Sequence, residues 1–117
     1  MSAGVTHPGL DDLLIHPARL VVLATLSTVA QAEFKFVRDA AGLSDSVLSK
    51  QAATLAEGGY LRIEKGYVGK RPRTWLAITT TGRRKLTAHL TALQAIAAMA
   101  AQSTQSDPIP NDGPTPG

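Results

Sequence analysis

Apolar residues along this chain keep a helical period, break it at glycines, alternate briefly as a strand does, and then return to a helical period for a long final stretch. Leu20, Leu23, Ala24 and Leu26, with Val22 and Val29, fall at helical spacing behind Pro17, which suits the first position of a helix because the N–H it lacks has no partner there. The spacing predicts a first helix over 17–30, preceded by a short helical turn at 10–15. A second helix is expected over 35–41, with Phe34 at its entry and Val37, Ala40 and Ala41 on its inner face. Gly42 ends it where a left-handed residue is cheapest, Leu43 returns to the core, and Ser44 is placed to cap a third helix over 45–57. Two helices joined by so short a turn make a helix-turn-helix.

In the third helix Leu48, Ala52 and Leu55 share a narrow arc and face the core. Ser46, Lys50, Ala53 and Glu57 lie opposite, flanked by Val47, Gln51 and Thr54. Gly58 and Gly59 stop the helix, and 60–64 alternates as a strand. A loop is expected over 65–72, with Gly66 and Gly69 supplying permissive dihedrals, and a returning strand over 73–79. Thr79 or Thr80 can cap a last helix over 81–101, in which Leu86, Leu90, Leu93, Ala97 and Ala100 repeat at alternating steps of four and three. That seam, widened by Ile96 and Met99, has little to pack on in so small a domain except a second copy.

Charge changes this picture locally. The formal net charge is only +3, yet eight basic residues lie between Arg62 and Lys85 with Glu64 as the one acid among them. A basic block on a near-neutral body suits a polyanion. Ser46, Lys50, Gln51 and Thr54 taken singly are equally well the wet face of an amphipathic helix. A basic hairpin directly downstream favours contact with DNA. A helix has the girth to enter a major groove, Gln pairs bidentately with adenine, Lys reaches guanine O6 and N7, and Val47 suits a thymine methyl. Lys70, Arg71 and Arg73 suit phosphates. Arg83, Arg84 and Lys85 stand at a helix N-terminus, the unfavourable end for cations, so each needs a compensating partner or solvation.

The order of these pieces resembles winged helix-turn-helix transcriptional regulators of the MarR/ArsR type, particularly small stand-alone winged-helix domains. The likeness covers 15–90. It rests on His16, Pro17, Arg19 and Leu20, on Phe34 and Ala41-Gly42-Leu43, and on Leu48-Ser49-Lys50. It continues through Leu55 with Gly59-Tyr60-Leu61, Lys70-Arg71-Pro72-Arg73-Thr74, and Ile78-Thr79 with Gly82-Arg83. The resemblance implies an α+β winged helix-turn-helix with a two-stranded β-wing and a long C-terminal dimerisation helix. It further implies a homodimer that inserts the third helices into successive major grooves of double-stranded DNA. Carried over by position, Ser44, Ser46, Val47, Lys50, Gln51 and Thr54 take the groove side and Lys70, Arg71 and Arg73 the wing. Relatives often have His where Gln51 stands and a larger residue at Ala52. Phe36 has no core role to fill and suits a subunit contact.

Other classes of function find little support. There is no cysteine, which removes disulfides and thiol chemistry. His7, His16 and His89 have no ligand spacing, so no metal or cofactor is expected, and neither a phosphate-binding Gly loop nor a nucleophile elbow occurs. Asp11-Asp12 reads as a charge feature at a helix N-terminus. No apolar run approaches the roughly 20 residues of a membrane span, and no signal peptide is apparent, so a cytoplasmic protein is expected. The expected organisation is a flexible 1–9, one domain over 10–101 with its dimerisation helix at 81–101, and a disordered Pro/Gly-rich tail over 102–117. The expected function is non-enzymatic: sequence-specific regulation of transcription, with repression favoured because so small a domain has little surface for recruiting polymerase. Two alternatives are a protein-interaction module with an acidic partner and a regulator with an effector pocket at the dimer interface, between the first and last helices.

Overall fold

The computed structural model describes residues 7–106, with side chains through residue 102. The chain runs α1 (Pro17–Leu26), β1 (Ala32–Glu33), α2 (Phe34–Ala41), α3 (Asp45–Glu57), β2 (Leu61–Val68), β3 (Arg71–Ile78) and α4 (Thr80–Ser106). The three strands form an antiparallel sheet in the order β1-β3-β2. This is an α+β winged helix with a β-hairpin wing and a long final helix, as the pattern implied.

Local chemistry sets most boundaries. His16 Nδ1 accepts from the Ala18 N–H at 3.2 Å and Pro17 follows as the first helical residue. The helix stops at Leu26, four residues short of the expected 30. The Ser27 and Thr28 hydroxyls donate to the Ala24 and Thr25 carbonyls at 2.7 and 2.8 Å, competing with continuation of the ladder. A turn and a bend follow, and Ala32 and Glu33 pair with Leu76 and Trp75 as β1, a strand the sequence pattern does not announce.

α2 and α3 both stop at glycines. Gly42 takes φ 69°, its N–H reaching Asp39 O and that of Leu43 reaching Arg38 O at 3.0 Å. Gly59 takes φ 84°, with its own N–H on Ala56 O and that of Tyr60 on Leu55 O at 2.9 Å. Ser44 Oγ accepts from the Val47 N–H at 3.2 Å, so α3 begins and ends where expected.

The wing departs from expectation. The segment 65–72 is not a loop: β2 and β3 continue in register out to Val68↔Arg71, and only Gly69 and Lys70 turn. Gly69 supplies the left-handed backbone there, at φ 64°. Pro72 is tolerated inside β3 because Tyr67↔Pro72 lies one step from the turn-closing pair, and alternate antiparallel pairs exchange no hydrogen bonds. The role of Gly66 is steric, since a Cβ there would lie 3.1 Å from the Trp75 ring.

The core is aliphatic. Leu14, Val22, Leu23, Leu26, Val37, Leu48 and Leu55 are fully buried, with Leu76 and Leu86 nearly so. Each such Leu contributes about 1.5–3 kcal/mol of transfer free energy. Leu86 therefore corrects the expected seam: it packs into its own domain rather than against a partner. The body-facing stripe of α4 comprises Gly82, Leu86, His89 and Ala92, with Ile96 half-buried. Leu90 and Leu93 remain 38% and 37% exposed, and every residue from Ala97 to Gln102 is exposed. The helix continues through Ser106, past the expected 101.

Of the N-terminal segment expected to be flexible, residues 1–6 lie outside those described. Gly9 packs on α4, where a Cβ would meet Ala88 O at 3.2 Å and Ala92 Cβ at 3.3 Å. In the tail expected to be disordered, 107–117 lies outside the described residues. No described helix is long and apolar enough to cross a membrane.

Candidate nucleic-acid interface

The outer surface of α3 is built by its inner one. With Leu48, Ala52 and Leu55 buried, the helix must present Ser46, Val47, Ser49, Lys50 and Ala53 to solvent, and all five are exposed. Ser44 is exposed too, but its Oγ is committed to the Val47 N–H. Thr54 is half-buried and its hydroxyl donates to Lys50 O at 3.2 Å. Asp45 opens the first turn, where a carboxylate suits the helix dipole, and it receives Arg38 Nη1 of α2 at 2.9 Å. That ion pair ties α2 to α3 across the turn of the helix-turn-helix.

Gln51 does not join this surface. It is 7% exposed, and its Oε1 accepts from Arg19 Nε of α1 at 2.7 Å. At 3.6 residues per turn Gln51 stands only about 60° from Leu48, on the flank of the core arc, so a partner inside the protein competes with any base. The expectation of a groove-reading glutamine is corrected on this ground.

The wing cations also divide. Lys70 and Arg71 are exposed at and beside the turn. Arg73 is half-buried, with Nε 3.4 Å from Glu33 Oε1 of β1; that nitrogen is buried and makes an ion pair without a hydrogen bond. Arg73 thus also braces the wing against β1.

Two residues outside the expected set enter the site. The register Lys65↔Thr74 places both on the hairpin face that continues into buried Leu61, Leu76 and Ile78. A cleft of about 350 Å³ separates that face from α3, lined by Ser49 and Ala53 on one side and Ile63, Lys65 and Thr74 on the other. Lys65 was visible in the basic block, but its assignment to a loop concealed which way it points. Ser49 lies beside Lys50 and gave no separate signal. Near the wing's end Tyr67 is 72% exposed, paired with Pro72.

Arg83 lies elsewhere. Its Nη1 donates to Ser27 O at 2.9 Å, just past α1, where a cation is favoured. Its compensation is internal. Phe36 is 55% exposed and borders a shallow groove of about 500 Å³ with Val29, Gln31, Ala32, Lys35 and Asp39. That groove lies beside α2 and not between α1 and α4.

The comparisons agree with this geometry. A model of the winged helix DNA-binding domain matches residues 18–97. Among solved structures, a transcriptional regulator homologue from Pyrococcus horikoshii OT3 is 25% identical, with TM-score 0.70 over 75% of this chain and 87% of that one. A MarR family transcriptional regulator from Silicibacter pomeroyi DSS shares 19% identity at TM-score 0.59, over 71% of this chain and 55% of that one. The PcaV transcriptional regulator from Streptomyces coelicolor, solved with its natural ligand, shares 18% at TM-score 0.62, over 74% and 61%. The chain thus spans most of the first protein but less than two thirds of the other two. No curated protein sequence matches it. With the match reaching from α1 into α4, the chain belongs to the winged helix DNA-binding domain family.

Proposed function

We propose that the protein is a homodimeric regulator of transcription that reads a specific duplex site with α3 and holds its backbone with the wing. One juxtaposition carries the reading. The exposed polar side of α3 stands across a single cleft from Lys65 and Thr74 of the hairpin, whose exposed end beyond them carries Lys70 and Arg71. Ser46, Val47 and Lys50 are the base-reading candidates. Lys65, Lys70, Arg71 and the Ser49 and Thr74 hydroxyls are the phosphate-holding ones.

Dimerisation through α4 is supported by the apolar residues it leaves outside its own domain. Leu90 and Leu93, then Ala97, Met99 and Ala100, continue the seam beyond Leu86. Twofold symmetry through that seam sets the two recognition helices about one DNA turn, roughly 34 Å, apart, and the site is then an inverted repeat. Repression is the favoured mode, because blocking a promoter needs no surface beyond the DNA-binding one. An effector is a second reading. PcaV was solved with its natural ligand, and here the groove beside Phe36 is a largely apolar recess of about 500 Å³.

The test is a binding titration against duplex DNA over a range of salt. Log affinity should fall linearly with log salt, with a slope of about −0.9 for each phosphate neutralised. A protein partner held by rim charges responds more weakly, and a flat profile excludes DNA.

A further inference from the structure

Between the N-terminal turn and the helices lies a half-buried run of polar contacts that the DNA-facing surface does not use. On α4, His89 is 1% exposed, and its Nδ1 accepts from the Asp11 N–H at 3.0 Å. The Asp11 carboxylate then serves two groups. Oδ1 accepts from the Leu13 N–H at 2.9 Å, and Oδ2 accepts from the Tyr60 hydroxyl at 2.5 Å. The Leu13 carbonyl accepts from Arg19 Nη1 at 3.4 Å, and Arg19 Nε donates to Gln51 Oε1 of α3 at 2.7 Å. Tyr60 follows α3 and leads into β2, so α4, the turn at 11–15, α1, α3 and the wing's first strand are joined hydrogen bond to hydrogen bond.

We propose that this relay sets the orientation of α3 relative to α4, with Arg19 as the positioning residue through which sequence reading depends on the dimerisation helix. The inference rests on the DNA-binding reading above. An apolar contact such as Leu48, Ala52 and Leu55 against the core resists separation but is non-directional. A charged hydrogen bond at 2.7 Å on the residue adjoining Lys50 is directional, and it fixes how far α3 rotates about its own axis. Functional side chains need to be held to within about 0.5 Å, which directional contacts behind them supply. Only a guanidinium suits position 19, because its planar fork donates at once to Leu13 O and to Gln51, on two different elements. The Tyr60 donor is secure at neutral pH: burial first, then the Asp11 bond, push its hydroxyl well above the ordinary tyrosine range.

The experiment uses the full chain in four forms: wild type, Gln51→Met, His89→Leu and the double variant. Each is titrated against its selected duplex and a random duplex of equal length. His89 lies on α4, buried away from the proposed DNA-facing surface. The relay nevertheless predicts that His89→Leu and Gln51→Met each lower the ratio of specific to random affinity by about 5–10-fold, the effect of one lost hydrogen bond to a charged or buried group. Random affinity should change by less than about twofold, and the double variant should match either single one, since both cut one path. His89→Asn, whose side-chain oxygen can take the place of Nδ1, should restore the ratio.

An unchanged ratio in His89→Leu overturns the proposal, as do losses that multiply in the double variant. A purely structural role would lower the melting temperature without touching the ratio. Where wild type prefers no duplex, the regulator reading fails separately, and exchange of the Arg19 Nε–H with solvent, measured by NMR without DNA, decides the relay. Faster exchange by about tenfold in His89→Leu upholds it, and unchanged exchange overturns it. Should His89→Leu not fold, Tyr60→Phe, which keeps the ring and removes the donor to Asp11, is read by the same measurements.

Discussion

Gly82→Ala sets two effects of opposite sign against each other. Gly82 lies in the first turn of α4, and its N–H donates to Thr79 Oγ1 at 2.9 Å. Helix propensity alone favours alanine by about 1 kcal/mol. The surroundings do not. A Cβ at this position falls on the Tyr60 carbonyl oxygen, 2.9 Å from its carbon and 3.1 Å from Ile78 Cγ1. The obstructing atoms belong to backbone, which cannot swing aside. The first turn of α4 must shift by roughly 1 Å, which strains the Thr79 N–H to Tyr60 O bond at 3.0 Å and the Thr79 hydroxyl to Gly59 O bond at 2.6 Å. Overpacking of this kind costs about 1–3 kcal/mol, and each weakened hydrogen bond adds about 1 kcal/mol. After the propensity gain, the net loss is about 2–4 kcal/mol, a fall in melting temperature on the order of 10–20 °C for a domain of this size. Gly42→Ala is the control. Nothing lies within 4 Å of its Cβ position, so only its left-handed backbone, at φ 69°, opposes the change. That costs about 1–2 kcal/mol. Thermal unfolding followed by circular dichroism should therefore rank wild type above Gly42→Ala and Gly42→Ala above Gly82→Ala. A Gly82→Ala protein as stable as wild type would show that α4 does not sit on the Tyr60 carbonyl.

Arg71→Ala should weaken binding to all duplexes about equally and flatten the log–log salt slope by about one unit; a loss confined to one sequence would move Arg71 from phosphate to base. Lys50→Ala should cost about 1–3 kcal/mol on the preferred site and much less on random DNA, as read by competitive titration. Leu90→Asp, at a position 38% exposed in the single chain, should give a monomer by light scattering and a sharp loss of specific binding, since one module lacks the second half-site. Tyr60 sets an alkaline limit. Its hydroxyl titrates in the folded state above its usual 10.0, so the unfolded chain loses that proton first. The stability is complete below pH 10 and declines as pH rises from there toward the raised folded value. Tyr60→Phe should remove that decline from urea-unfolding midpoints measured across the alkaline range.

What could be read from the chain alone follows from how local each determinant is. The bounds of α3 were legible because Ser44 and the Gly58-Gly59 pair act within one turn of themselves. β1 was not, because Ala32 and Glu33 are a strand only by pairing with Leu76 and Trp75, more than forty positions on. The wing was read short because Lys65, Lys70 and Arg71 resemble loop composition, whereas an edge hairpin tolerates both its charges and Pro72. Gln51 was misplaced by its chemistry: its angle on the helix already pointed to the core flank, and only Arg19, 32 residues away, explains a buried amide there. Leu86 was misplaced for a related reason. α4 carries apolar residues on two sides, so one seam of leucines could be drawn through positions that the fold divides between its own core and an outer face. His89, read as a scattered histidine, is the polar member of that inner stripe. The exposed side of α3, with Ser46, Val47 and Lys50 proposed as base readers, was accessible because it required only the helical period.

The central claim is that α3 and the wing together read a duplex. Selection of bound fragments from random double-stranded DNA tests it most directly. An inverted repeat should be enriched, its half-sites about one helical turn apart, and bound more weakly by Lys50→Ala and by Leu90→Asp. A pool that stays random through successive rounds, from a chain that also shows no salt-dependent binding, would contradict it.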